Sequence, residues 1–359
     1  MAILEVARTY AKLIAERKIP APARTLRFVW PPEIEGTMAL LIGRPEMEKR
    51  MITAIHMDMV GGGPVTKAQF HVTRGPASLP SFVYDVADHF AEFVNQQTQR
   101  FADSGAALYP LHSLEGGKEP LQAILAPFSM GSDHEVYTES SFGIPAIYFN
   151  DWPDRYIHTN FDVPGNIDST KLKRAAFLGA TSAHFLANFN GSDLPKLEPV
   201  LRAASAQRLA KMIKAGSTNE FRNWYEEKVI DSLNQYVDLP EADRSKWKGW
   251  VNQLMPGSNR TSSANSVIYV RNPKVRGPMG VFGYNYVEDH YGVDQMAALK
   301  LLKLENGSIY AYEALNFVDG KRNLQEIVNL LSAAYGTVPA NAVTEYLNAL
   351  ESIGVIRKK

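Results

Sequence analysis

Three short stretches hold residue types that can do hydrolytic chemistry. Glu33-Ile34-Glu35-Gly36 follows the apolar run Thr25-Leu26-Arg27-Phe28-Val29-Trp30. His56-Met57-Asp58-Met59-Val60-Gly61 ends a second apolar run, Met51 to Met57. Tyr156-Ile157-His158-Thr159-Asn160-Phe161-Asp162 lies in a polar, aromatic loop after the short run Ala146 to Phe149. Carboxylate and imidazole are ordinary zinc ligands, and a Glu beside the metal can take a proton from bound water. One Glu, one Asp and one His, each just past a different strand, therefore suit metal-assisted hydrolysis. Plainer readings stand beside this one. Carboxylates at strand ends are common, and His56, on the same strand face as Asp58, is either a ligand or a buried, satisfied histidine.

The elements that must position these residues follow from periodicity. Ile3, Ala7, Tyr10 and Ile14 fall at helical spacing and predict a helix from Met1 to about Arg17. Thr25–Trp30 reads as a buried strand stopped by Pro31-Pro32. A helix near Thr37–Ile42 and a strand over Met51–Met57 follow, the latter closed by Gly61-Gly62-Gly63. Helix, strand, helix, strand is the pattern of an α/β sheet, whose ligands bind at the carboxyl ends of the strands. A long helix is expected over Ser81–Arg100, a strand over Ala146–Phe149, and a helix capped by Asp168 or Ser169 that runs to about Asn188. Asn190 to Pro195 reads as a domain exit. Residues 1–190 thus form an α/β domain, 191–300 a helical connector with an irregular stretch over Pro256–Pro278, and 301–359 a small winged-helix-like module.

Composition removes several function classes. Lys plus Arg and Asp plus Glu number 38 each, which argues against a general polyanion binder. With no Cys there is no disulfide framework, cysteine zinc site or cysteine nucleophile. No apolar run reaches the roughly 18 residues of a membrane helix, and Glu5 and Arg8 interrupt any signal-peptide core. Gly61-Gly62-Gly63 is followed by Pro64 and is no phosphate loop. Gly-x-Ser-x-Gly does not occur, and Gly131-Ser132-Asp133-His134 sets three triad residue types side by side, where they seldom form a triad. The module's helices, Asn323–Ala334 and Ala340–Ser352, contain no Lys or Arg, so a groove-reading role is not expected and docking onto the rest of the chain or a partner is.

Gly131-Ser132-Asp133-His134, Phe142-Gly143-Ile144-Pro145-Ala146, Tyr156-Ile157-His158-Thr159, Asp162 and Ile167-Asp168 resemble, in order, the motifs of the co-catalytic zinc aminopeptidase family. The helix with L-E-V-A-R, the strand R-T-L-R-F-V-W, then P-E-I-E-G-T and H-M-D-M-V-G, also match in order, so the resemblance spans 1–188. It implies a three-layer sandwich with a mostly parallel mixed sheet, one or two zinc ions in the complete enzyme, and a peptide substrate. It further implies that Asp58 binds one zinc, His158 the other, and Glu33 is the general base. Asp162 and Asp133 would orient neighbouring groups, or Asp133 would simply fix its loop. Trp152, Tyr156 and Phe161 either line a substrate pocket or pack the loop, and Asp151 or Asp154 could hold a substrate ammonium.

Two departures qualify the resemblance. Ile34 stands where the family commonly has a second, zinc-binding Glu, leaving Glu35 or a weakened metal position. The family's further His ligand and metal-bridging Asp precede the L-E-V-A-R helix, with which this sequence begins. The expectation is a domain lacking its N-terminal part and weakly active or inactive as this chain. Relatives in the family are often exported. A non-catalytic binding or scaffold module, and a glutaminyl-cyclase-like zinc acyltransferase, are the alternatives.

Overall fold

The computed structural model describes residues 1–254 and 267–359, so the expected irregular stretch over 256–278 lies partly outside the described residues. The α/β half runs α1 (Ala2–Ala15), α2 (Glu35–Gly43), α3 (Pro45–Glu48), β1 (Ala54–Asp58), β2 (Gln69–Thr73), α4 (Phe82–Ser104), β3 (Ile124–Ala126), α5 (His134–Thr138), β4 (Ala146–Trp152) and α6 (Ser169–Asn188). Its sheet has the order β1-β4-β2-β3. β1 pairs parallel with β4, β2 antiparallel with β4, and β3 parallel with β2. Side chains alternate across β4, as strand geometry requires. Ile147 and Phe149 join the core with Val83 and Val86 of α4 and Leu178 of α6. Ala146 turns to the opposite face, with Val136 of α5 and Met38 of α2. Helices therefore cover both faces, as in α/β proteins.

α4 begins where Ser81 accepts a hydrogen bond from the Val83 N–H, and α6 where Asp168 accepts from Lys171. Such caps satisfy amides that the first turn leaves open. α1 lays Val6 and Tyr10 against α6, where the Tyr10 hydroxyl donates to the Ala180 carbonyl (2.6 Å).

The expected strand over Thr25–Trp30 does not form. The segment is extended but belongs to no sheet. It is anchored at one end, where the Arg24 N–H donates to the Ala187 carbonyl (3.0 Å) and the Arg24 guanidinium to the Phe189 carbonyl (2.7 Å). Leu26, Phe28 and Val29 are only half-buried. Strand propensity becomes a strand only where another edge lies within pairing distance, and here the edge of β1 stands off.

The second half begins with α7 (Leu194–Lys214), α8 (Asn219–Asp231) and α9 (Glu241–Leu254). A buried ionic group ties α7 and α8 to α4. Arg208 binds Asp85 (2.6 Å) and Glu226 (2.7 Å), while Arg74 binds Asp85 (2.7 Å) and Asp88 (2.5 Å). Then follow β5 (Tyr269–Arg271), α10 (Tyr286–Tyr291), α11 (Val293–Ala298), α12 (Gly307–Asn316), α13 (Leu324–Tyr335), α14 (Ala340–Ser352) and β6 (Ile356–Lys358). β5 and β6 make an antiparallel ribbon, and Tyr269 joins Leu315, Ile327, Leu331, Val343 and Leu347 in a second core. Among the described residues no helix is long and apolar enough to cross a membrane.

Candidate active site

β1 and β4 run parallel, so their carboxyl ends, at Asp58 and Trp152, lie on the same edge of the sheet. Three non-glycine residues with positive φ mark the loops there: Ile34 (φ 59°), Met59 (φ 51°) and His158 (φ 58°). Backbone strain of this kind persists only where the surroundings enforce it, and it gathers at functional sites.

At Ile34 the enforcement is visible. With ψ at −73° and the Glu35 N–H donating to the Glu33 carbonyl (2.7 Å), residues 33–35 form a strained γ-turn with a β-branched residue at its centre. Asp133 holds it, its Oδ1 accepting from the Ile34 N–H (2.6 Å). The Ile34 side chain is buried beside Met38 and Val136, which leaves the Glu33 side chain on the rim of the site.

Ser132 is the hub. Its hydroxyl lies 2.8 Å from Glu33 Oε1, 3.1 Å from Asp58 Oδ2 and 2.8 Å from His56 Nε2. One hydroxyl proton serves one carboxylate at a time, so toward His56 the Ser132 oxygen acts as acceptor and the neutral imidazole donates from Nε2. Burial pushes the His56 imidazole down to about 4. It pushes His134 down to about 3, with His56 adding to the effect. Both rings are therefore neutral at pH 7 and pack around Tyr148, with centroids 4.9 and 4.2 Å away. Burial raises the Tyr148 phenol, and the Asp58 and Glu33 carboxylates raise it further.

Two more acids complete the polar cluster. Burial raises Asp133 against the opposing hydrogen bond from the Ile34 N–H. Burial also pushes Glu135 up to about 8, again against a hydrogen bond, from the Gly131 N–H. Its Oε2 accepts that bond (3.2 Å), and Oε1 is buried without a hydrogen-bond partner.

Of the residues singled out from sequence, Glu33, Asp58 and Asp133 come together around Ser132 and the Ile34 turn. His158 is exposed on its own loop, stacked on Phe282 with ring centroids 5.8 Å apart. Asp162 is exposed, and its N–H donates to the Thr159 carbonyl (3.2 Å). Phe161 lies tilted against Tyr156 (ring centroids 6.5 Å apart), and Trp152 is exposed at the end of β4. Glu35 opens α2 and is exposed. Asp151 is buried, pairs with Lys171 (2.5 Å) and accepts from the N–H groups of Gly61 and Gly62 (2.7 and 2.9 Å), so it fixes the turn after Asp58. Asp154 accepts from the Tyr156 N–H (2.7 Å) and shapes the aromatic loop. Sequence reasoning passed over Ser132, Tyr148 and Glu135 as site members; the one available signal was Ser132's place inside the Gly-Ser-Asp-His run.

A catalytic zinc takes three protein ligands. Among the described residues no group of three or more His, Asp and Glu side chains is arranged to hold a metal ion. Asp58 and His158 supply two at most, and the Ser132 hydroxyl already bridges Asp58 to Glu33. These side chains do not by themselves complete a zinc site. What they offer is a rim carboxylate, Glu33, able to accept a proton, backed by a second carboxylate and a neutral imidazole.

No protein-family model matches the chain, and no curated protein matches it. Among solved structures it is similar to a protein described as a "putative peptidase" from Clostridium acetobutylicum, with TM-score 0.31 and 11% identity. That likeness covers 97% of this chain and 51% of the other, so the chain spans about half the length of that protein.

Proposed function

We propose that the α/β half is a peptide hydrolase domain of the zinc-aminopeptidase type that carries part of its catalytic site. The observation that supports this is the strained turn at Ile34, which brings Glu33 onto the same hydroxyl as Asp58 at a strand end. Glu33 is the general base, with one face toward solvent where it can take the proton of an attacking water. Asp133 acts through the Ile34 N–H, fixing the turn that aims Glu33. Asp58 would hold one metal ion and His158 the other, each with its remaining ligands outside the cluster around Ser132. The chain alone accordingly has weak but measurable activity. The C-terminal helices and ribbon are a winged-helix-like module with a structural role.

A second reading, a non-catalytic peptide-binding or scaffold domain, draws on the two-ligand count and on the Ser132 hydroxyl joining the two carboxylates. One experiment separates the two. Wild type and Glu33→Gln are incubated, with added zinc, with a free amino-terminal peptide, its N-acetylated form and an N-terminal Gln peptide. Cleavage that needs the free amine and is lost in Glu33→Gln supports the hydrolase. Cyclisation of the Gln peptide would move the protein to acyl transfer. Peptide binding without turnover would favour the binding domain, and equal turnover in the two proteins would remove Glu33 as base.

A further inference from the structure

After β5 the chain crosses onto the α/β half and ends its crossing in a tight turn. Arg276 fastens the crossing: it pairs with Glu48 of α3 (3.0 Å), donates to the Ser141 carbonyl (2.8 Å) and lies over the Phe142 ring (4.5 Å to its centroid). In the turn the Tyr284 N–H donates to the Val281 carbonyl (3.2 Å), and the Val281 N–H donates to the Tyr284 carbonyl (2.8 Å). Gly283, third of the four residues, takes φ 74°, which glycine allows without strain. Val281 and Tyr284 pack into the small core of Ile34 and Met38.

Phe282 is the exception in this turn. It is 58% exposed, and its ring lies nearly parallel to that of His158 (8°), with centroids 5.8 Å apart. The turn geometry does not require an aromatic at its second position, and an exposed ring forgoes the gain of burial. A single exposed apolar residue is ordinary on a protein surface. Phe282 differs in its setting: both ends of its turn are packed on Ile34, the residue whose own turn aims Glu33. The ring is thereby fixed with respect to Glu33 and set over His158. The segment that carries His158 leaves Trp152 and Phe161 exposed as well.

We propose that Phe282 is a specificity-determining residue of the site, a wall against which an apolar side chain flanking the scissile bond of a peptide packs. The C-terminal half would then select the substrate that the α/β half cleaves. This inference rests on the reading of the Glu33 and His158 rim as a peptide site.

The test uses the full chain carrying Glu33→Gln, so that bound peptide is not consumed, with added zinc. Three peptides, labelled with fluorescein at the carboxyl end, begin Leu-Gly, Gly-Leu and Gly-Gly and are otherwise identical. One methylene in a closed pocket is worth about 10–200-fold in discrimination, and this wall is open on one side. Anisotropy should therefore show the better leucine peptide bound at least about fivefold tighter than the Gly-Gly peptide. Phe282→Ala should bring that ratio below about twofold, and Phe282→Tyr, which keeps the ring, should retain it. A change that merely loosened the His158 loop would weaken all three peptides alike and leave the ratio standing. A ratio unmoved by Phe282→Ala, a ratio lost in Phe282→Tyr, or no saturable binding would overturn the proposal. Cleavage of the same peptides by the protein with Glu33 intact is followed separately. Preference without cleavage would remove the hydrolase reading and keep Phe282 as a peptide contact. Cleavage with a preference that ignores Phe282 would remove this role and keep the hydrolase.

Discussion

Replacing Glu135 with Gln should stabilise the protein at pH 8 and leave the effect of pH near 4 unchanged. The carboxyl is buried in α5, accepts one hydrogen bond from the Gly131 N–H (3.2 Å), and lies near the Glu33 and Asp133 charges. Its folded value of about 8 stands above the ordinary 4.5. A raised carboxyl favours the fold while it is protonated. That contribution is complete below pH 4.5 and is lost as pH rises toward 8. At about 1.4 kcal/mol per pH unit the full span is on the order of 5 kcal/mol. Local relaxation and water entry bring the expected loss nearer 2–3 kcal/mol, roughly half of that bound. Gln keeps the acceptor for Gly131 and cannot ionise, so its own packing cost is the same at every pH. His56 and His134 act in the opposite sense: with folded values pushed down to about 4 and about 3, their contribution is lost as pH falls below 6.5. Both cancel in the difference between variant and wild type. Urea unfolding of the two proteins from pH 4.5 to 8.5 reads that difference, which should widen in favour of Gln by about 2–3 kcal/mol. Parallel stability curves would show that Glu135 ionises freely and that the interior around Ser132 is more polar than the geometry implies.

Zinc measured by elemental analysis after dialysis should fall well below one per chain, because Asp58 and His158 make two ligands where about three are needed; a stoichiometric, chelator-resistant zinc would require another ligand set. Glu313→Ala should cost about 2–4 kcal/mol in urea unfolding, since it strips buried partners from the Ala77 and Ser78 amides and the Tyr335 hydroxyl; a loss under about 0.5 kcal/mol, the level of an ordinary surface change, would mean that the C-terminal half is not fastened there. Duplex DNA should bind no tighter than about 10⁻⁴–10⁻⁶ M at physiological salt, and tight, sequence-dependent binding would overturn the structural role given to the C-terminal module.

Elements with a strong period and a cap were legible. α4 carries Ser81 at its start, and α13 carries Asn323 with Glu326 reaching back to it. Both signals are local and survive without tertiary information. Thr25–Trp30 was misread for the converse reason: its residues favour a strand, but whether an edge lies within reach is settled elsewhere in the chain. β2 was missed because Gln69, His71 and Thr73 dilute its apolar character, although Phe70 and Val72 are fully buried. Glu33 and Asp58 could be picked out as strand-end carboxylates, but their meeting point could not. Ser132 joins them across sequence separations of 99 and 74 residues, and a lone serine carries no mark of its partners. Nor does any turn residue announce the γ-turn, since isoleucine is among the residues least expected at positive φ.

The distant half of the chain helps to place Ser132. α5 has five residues and no side-chain cap, too short to persist by itself. Outside contacts hold it. The Tyr312 hydroxyl of α12 donates to the Glu135 carbonyl (2.7 Å) and lies 2.9 Å from the Thr138 hydroxyl. Phe128 stacks on Tyr312 (5.3 Å) and meets His134 edge-on (5.7 Å). Arg271 of β5 pairs with Glu139 (3.1 Å) at the end of α5, and the Gly277 N–H donates to the Ser141 hydroxyl (2.8 Å) just beyond it. The turn that follows sets Val281 and Tyr284 beside Ile34 and Met38, and Phe282 over His158. Strain at Ile34 and His158 requires surroundings that over-determine the backbone, and part of those surroundings comes from residues 271–316. The C-terminal half is therefore a wall of the candidate site, which gives a physical reason for the apolar faces of α13 and α14: they close the core against Ala311, Ala314 and Leu315 of α12, the helix that carries Tyr312.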